Sequence, residues 1–183
     1  FSTVPEFNLV SGFSNVRVPQ IQSFSDDPNV DGRTDFFNLT VTVPILDNEK
    51  IYGISALIFY DVELKNRMKL KMTAMTQISH SSALPGSKLS VFGDVRFKQL
   101  YPLSLKGSRA DYTSELLDGS SITSIEDTYF SDIIAQSFAR NESLMITDAM
   151  SHWRPGREVQ FTLDARLRIP KSEIRYQNYL CAA

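Results

Sequence analysis

The sequence predicts a mostly β protein: an antiparallel β-sandwich of about seven to eight strands with one α-helix near residues 128–140. Three observations carry this reading. Apolar and polar residues alternate with period two in several separate stretches, and β-branched and aromatic residues dominate those stretches. Apolar residues recur at helical spacing in only one segment. With 183 residues, 42% hydrophobic and 22% charged, the chain has ordinary globular usage and enough length to bury roughly 70% of its unfolded surface.

The first strand candidate covers residues 16–24. In the second, Phe37, Leu39, Val41 and Val43 alternate with Asn38, Thr40 and Thr42. Residues 51–64 and 68–79 read as a hairpin turning at Lys65-Asn66-Arg67, and the first arm is apolar enough for the middle of a sheet. Pro85-Gly86-Ser87 forms a turn. Leu89, Val91, Val95 and Phe97 then resume a strand that Gly93 bends or bulges.

Residues 101–126 hold Gly107, Gly119 and clustered serines without a clear period, and read as a long excursion across the sandwich. From Asp127, a helix cap, the positions Phe130, Ile133, Ile134 and Phe138 follow helical spacing. Residues 143–150 are a further strand candidate. The last strand alternates Val159, Phe161, Leu163, Ala165, Leu167 and Ile169 with polar partners.

A net charge of −2, with lysine and arginine spread along the chain, supplies no dense basic face for nucleic acid. The single Cys181 forms no internal disulfide and does not decide the redox compartment. The longest apolar run, Ile54 to Tyr60, falls far short of the ~20 residues that span a bilayer, so the chain as given is expected to be soluble. The apolar Tyr179-Leu180-Cys181-Ala182-Ala183 can be the stub of a longer hydrophobic segment, which would make residues 178–183 the start of a membrane span.

The strongest chemical signal is the loop from Asp27 to Asp35. Asp27, Asn29, Asp31 and Asp35 place side-chain oxygens at relative positions one, three, five and nine, with Gly32 at six and the Arg33 carbonyl available at seven. This spacing suits Ca²⁺, which takes six to eight oxygen ligands at about 2.3–2.6 Å. Position twelve is Asn38, inside a predicted strand, where a helix-loop-helix site would need a bidentate Glu. The expected site is therefore a structural, cation-pinned β-hairpin, with an affinity of roughly 10⁻⁴ to 10⁻³ M that fills outside the cytosol. Any solvated turn also gathers Asp and Gly, but less often at all these offsets.

Asn38-Leu39-Thr40 and Asn141-Glu142-Ser143 are N-glycosylation sequons, the second expected to be the more exposed. His80 and His152 lie far apart, and no nucleophile elbow, phosphate loop or zinc-protease pattern accompanies them. No catalytic residue is assigned, and the chain is read as non-enzymatic. The stretch from His152 to Arg157 reads as an exposed contact loop or, more commonly for such a tryptophan, as Trp153 plugging one end of the sandwich.

Several short motifs occur in a fixed order. They include Phe1-Ser2-Thr3-Val4-Pro5-Glu6-Phe7-Asn8, Val16-Arg17-Val18-Pro19, Asp31-Gly32-Arg33-Thr34-Asp35 and Pro85-Gly86-Ser87-Lys88-Leu89. Arg109-Ala110-Asp111-Tyr112, Arg140-Asn141, Trp153 with Gly156-Arg157, and Ile174-Arg175-Tyr176-Gln177 follow. The ordered set resembles the transmembrane protein 231 family over nearly the whole chain.

The resemblance implies a two-span membrane protein of the ciliary transition zone, with the region between its spans on the extracytoplasmic side. It implies partnership with tectonics, meckelin and B9-domain proteins in the Meckel-syndrome complex, a diffusion barrier linked to ciliogenesis. Residues 1–183 would then be a single extracytoplasmic domain. Asp27, Asn29, Asp31, Gly32 and Asp35 match the family's Asp-x-Asn-x-Asp-Gly-x-x-Asp pattern. A family sequon in the excursion reads here Leu117-Asp118-Gly119-Ser120-Ser121, without the Asn. The competing expectation is a calcium-dependent ligand-binding or adhesion module.

Overall fold

The computed structural model describes residues 1–3, 5–10, 16–64, 69–104, 108–112, 116 and 129–177. In chain order they form α1 (Pro5–Val10), β1 (Gln20–Asp26), β2 (Phe36–Pro44), β3 (Gly53–Leu64), β4 (Lys69–Ser81), β5 (Gly86–Gln99) and β6 (Ser108–Tyr112). They continue with α2 (Phe130–Phe138), β7 (Glu142–Pro155) and β8 (Gln160–Arg168). The strands make two sheets, one ordered β1-β2-β8-β5-β7 and one ordered β3-β4-β6.

The mostly β sandwich is as expected, and two of its pairings are parallel: β5 with β8, and β4 with β6. Alternation reports which face is buried, not strand direction, so the pattern could not separate these from antiparallel pairs. β3 is an edge strand rather than a central one. Its apolar run reflects two covered faces: Ile54, Ala56 and Ile58 pack into the inter-sheet core, while Leu57 packs under α2.

The inner faces meet through Ile78 of β4, Leu89 and Val91 of β5, and Phe161, Leu163 and Ala165 of β8. A second part of this layer holds Leu70, Met72 and Ala74 with Phe97 and Leu144. Phe37 and Tyr60 bridge the two sheets edge to face, with ring centroids 6.0 Å apart. On the far side of the smaller sheet, Ile133 and Ile134 of α2 pack with Met75 and Leu116. α2 thus forms a third layer, although Phe138, at the same helical spacing, is 82% exposed.

The N-cap position of α2 is Tyr129, with no side-chain cap hydrogen bond; the expected cap, Asp127, lies outside the described residues. The turn Lys65-Asn66-Arg67 and residues 178–183 also lie outside them. α1 and β6 were not anticipated. β6, in Ser108-Arg109-Ala110-Asp111-Tyr112, has no apolar alternation to mark it and is positioned by its pairing with β4.

Gly93 sits where the β5–β7 register shifts, between Phe92 and Asp94, as the bulge reading expected. An added Cβ there would stand 2.6 Å from Ile146 Cγ2. The His152–Arg154 stretch is not a contact loop, because it lies within β7. Trp153 faces inward, stacks on His80 with ring centroids 5.0 Å apart, and donates its indole N–H to the Leu84 carbonyl at 3.1 Å. A Cβ at Gly86 would fall inside that indole, so glycine is required for the strand to pass.

Beyond β8 the chain laces back onto the end of β5. Arg175 N–H donates to Gln99 Oε1 at 2.8 Å, and Leu103 exchanges backbone bonds of 2.9 and 2.8 Å with Arg175 and Gln177. Among the described residues, no helix is long and apolar enough to cross a membrane.

Candidate functional site

The loop from Asp27 to Asp35 joins β1 to β2 at one end of the larger sheet, and its backbone closes where Asp35 N–H donates to the Asp26 carbonyl at 2.9 Å. Ile169 N–H donates to the Asp35 carbonyl at 2.7 Å and fastens the loop to the end of β8. The side chains then organise the interior. Asp27 accepts from the N–H groups of Asp31 at 3.2 Å and Gly32 at 2.9 Å. Asn29 Oδ1 accepts from Asp31 N–H at 2.9 Å, and Asp31 Oδ1 from Arg33 N–H at 3.0 Å. Asn29 Nδ2 donates to Asp35 Oδ2 at 2.6 Å.

Short polar side chains that bond the backbone two residues ahead make tight turns, and here two such turns overlap. The coil needs left-handed backbone at relative positions four and six. Gly32 adopts φ +78° without steric cost, and Val30 adopts φ +56°, an unfavourable conformation for a β-branched residue. Val30 is 85% exposed, so its packing cannot be what holds it there. The surrounding hydrogen bonds hold it.

All five predicted residues therefore belong to one hydrogen-bonded loop, Arg33 through its N–H. The carboxylates are spread over that loop: among the described residues, no three His, Cys, Asp or Glu side chains are grouped to hold a metal. The donor chemistry nevertheless fits a hard cation. Each carboxylate or amide oxygen has two lone pairs, so one that accepts an N–H bond keeps capacity for an ion. The bonds from Asp27, Asn29 and Asp31 direct their oxygens toward the loop's own backbone, and Asn29 holds Asp35 beside them.

A charged row that the sequence reading did not single out lies at the foot of the loop. Phe36, Arg168 and Asp94 are register partners across β2, β8 and β5. Arg168 Nε donates to Asp94 Oδ1 at 2.6 Å and Arg96 donates to Asp94 Oδ2 at 3.1 Å, with the Asp94 residue only 4% exposed. Four residues back along β8 on the same face, Asp164 pairs with Lys88 at 3.0 Å. Asp164, Arg166 and Arg168 stand at every second position of β8, and this spacing was a legible sign of a charged face.

The sequons occupy unlike settings. Asn38 is half-buried on the outer face of the larger sheet, between Phe24 and Arg166. Asn141 clamps Tyr101: its Oδ1 accepts the Tyr101 N–H at 2.7 Å, and its Nδ2 donates to the Tyr101 carbonyl at 3.2 Å and to Glu142 Oε1. His80 is stacked on Trp153, whereas His152 pairs in register with Ser90 on the opposite face of the larger sheet. The two imidazoles do not share a site.

Hydrogen bonding to Arg168 draws the Asp94 carboxyl below the usual carboxylate range, against the opposing effect of burial, and Arg96 adds to the lowering. A carboxyl depressed in the folded state contributes stability above its unfolded value of about 3.9, and that stability is lost as pH falls through the folded value. Urea unfolding should therefore show Asp94→Asn clearly less stable than the parent chain at neutral pH. The gap should close as pH is lowered below about 4. A gap of constant size down to strong acid would remove the ion pair from the account.

The sequence profile described as transmembrane protein 231 matches residues 1–181. The curated transmembrane protein 231 of Rattus norvegicus is 31% identical over 179 residues, covering 97% of this chain and 56% of the relative. The Mus musculus and Homo sapiens proteins of that name match with the same identity and coverage. No solved structure matches. The chain spans just over half the length of these relatives. With a family profile aligned from end to end and relatives at this identity, the chain belongs to the transmembrane protein 231 family.

Proposed function

We propose that this chain is the extracytoplasmic structural and interaction domain of a ciliary transition-zone membrane protein, contributing to the Meckel-syndrome-complex diffusion barrier and to ciliogenesis. The observation that carries the reading is family membership along the whole chain, with relatives that bear the word transmembrane in their names. Tectonics, meckelin and B9-domain proteins are the proposed neighbours. Flanking spans would hold the domain at the membrane, and the assembly function belongs to the whole protein, of which this chain corresponds to just over half.

A packed sandwich with a broad exposed face suits such a role. Register places Phe24, Asn38, Arg166, Phe92 and Met150 in one row across the outer face of the larger sheet. Phe24 is 61% and Met150 68% exposed, and the Arg166 guanidinium lies 5.9 Å from the centre of the Phe92 ring. Glycans at Asn38 or Asn141 belong to the same proposal. At Asn141 a glycan would take the place of one hydrogen of an Nδ2 group that now makes both bonds described above.

Full-length protein carrying a tag in ciliated cells should concentrate at the base of the cilium and co-purify with tectonics or meckelin. An even distribution over the plasma membrane, without those proteins, would overturn the proposal.

The loop is proposed to take Ca²⁺ through Asp27, Asn29, Asp31, Asp35 and the Arg33 carbonyl. The ion would act as a constitutive clamp on the β1–β2 register, supplying positive charge among three carboxylates and no chemistry of its own. A ligand that binds only the folded state raises stability by mass action, by about 1.4 kcal/mol at ten times its dissociation constant. Millimolar Ca²⁺ should raise the melting temperature, and Asp31→Ala should abolish the rise. An unchanged melting temperature in the parent chain would exclude the ion.

A further inference from the structure

We propose that Asn38 carries an N-linked glycan whose first N-acetylglucosamine packs on Phe24 and Phe36 and closes that half of the outer face of the larger sheet. The inference deepens the extracytoplasmic reading and rests on it, because oligosaccharide is transferred to Asn-x-Thr on that side of the membrane.

Strand alternation builds the setting. Phe37 meets Tyr60 of the other sheet, and Leu39 and Val41 reach the core, so Phe36, Asn38 and Thr40 stand together on the outer face. The run Phe36-Phe37-Asn38-Leu39-Thr40 thus sets an aromatic ring on one side of the acceptor Asn and the sequon hydroxyl on the other.

The ladder adds a second ring. Phe24 is the register partner of Asn38, and Asp26 is the partner of Phe36. Directly paired residues stand about 5 Å apart and neighbours along one face of a strand about 7 Å, so both rings lie within reach of a sugar on Asn38 Nδ2. Phe24 is 61% and Phe36 40% exposed, which leaves apolar area for the sugar to cover. An aromatic face is negative, and the C–H groups of a sugar, polarised by their oxygens, present the complementary charge.

The other sequon provides the contrast. Asn141 donates from Nδ2 to the Tyr101 carbonyl and to Glu142 Oε1, so a glycan there replaces a hydrogen that is already bonded. Among the described residues, no side-chain hydrogen bond holds the Asn38 amide. The folded sheet therefore takes a sugar at Asn38 without giving up a bond.

Attachment forms a bond from Asn38 Nδ2 to C1 of the sugar and breaks the bond from C1 to the diphosphate of a lipid-linked oligosaccharide. The lipid diphosphate leaves, and Nδ2 gives up one proton to a base of the transferase. The glycan then divides the outer face. Its bulk lies over β1 and β2, whereas Phe92 of β5 and Met150 of β7 stay open, and protein contact through this face is confined to their half.

Two measurements test the proposal. In full-length protein from eukaryotic cells, peptide-N-glycosidase digestion in heavy-oxygen water converts each glycosylated Asn to labelled Asp, and mass spectrometry should find the label at Asn38. Lys50→Thr places Asn48, in an exposed turn, in a sequon of its own and reports the side of the membrane independently. A label at Asn48 or Asn141 with none at Asn38 would overturn the proposal and leave the extracytoplasmic reading standing. No label at any Asn would remove that reading and the proposal with it.

The second measurement reads the packing, in a Ser143→Ala background that lacks the Asn141 sequon. This chain, directed into the secretory pathway by an added signal segment and trimmed by endoglycosidase to one N-acetylglucosamine, should melt about 2 °C or more above the same chain made in bacteria without the sugar. Phe24→Ala and Phe36→Ala, both at exposed positions, should each shrink that difference. No difference in the parent, or one that neither substitution changes, would overturn the packing.

Discussion

The arrangement depends on β8 lying in the middle of the larger sheet, antiparallel to β2 on one side and parallel to β5 on the other. One short strand supplies both requirements of a central position through its alternation. Phe161, Leu163, Ala165 and Leu167 are buried at 3%, 2%, 0% and 1% exposure, while Asp164, Arg166 and Arg168 line the other face. The apolar face dominates the energetics. Removing a buried leucine side chain such as Leu163 costs about 2–5 kcal/mol, whereas an exposed ion pair contributes roughly 0–1. Lys88 and Asp164, both partly exposed, lie nearer the latter class, whereas Asp94 is buried between Arg168 and Arg96 and contributes more.

The β1–β2 hairpin depends on β8 for its position. Leu39 and Val41 of β2 reach the core, whereas β1 lies beyond its margin and is exposed throughout. Pairing with β2 and the Asp27–Asp35 loop are what hold it. That loop concentrates local strain at Val30 and satisfies its backbone with its own side chains. Its tie to Ile169 connects it to the chain leaving β8, so the candidate cation site and the C-terminal segment share one anchor.

The sequence made legible what alternation and helical spacing encode. Each predicted strand has a counterpart, the bulge at Gly93 is present, and α2 lies within the predicted helical segment. Strand direction was not legible, because a buried face looks alike in parallel and antiparallel pairs. β6 escaped because its pairing is determined by β4 rather than by its own residues. The inward Trp153 agrees with the plug alternative, whereas its close approach to Gly86 and its stack with His80 from another sheet were not legible, because they depend on residues distant in sequence. The loop was legible residue by residue. Its internal hydrogen bonds were not, because they depend on backbone conformation at Val30 and Gly32.

Amide hydrogen exchange on this chain tests the central position of β8 most directly. Amides at 161–167 should be the last to exchange, opening only with global unfolding, because both edges of the strand are paired and one face is buried. Exchange at those positions as fast as at the edge strand β3 would contradict the account.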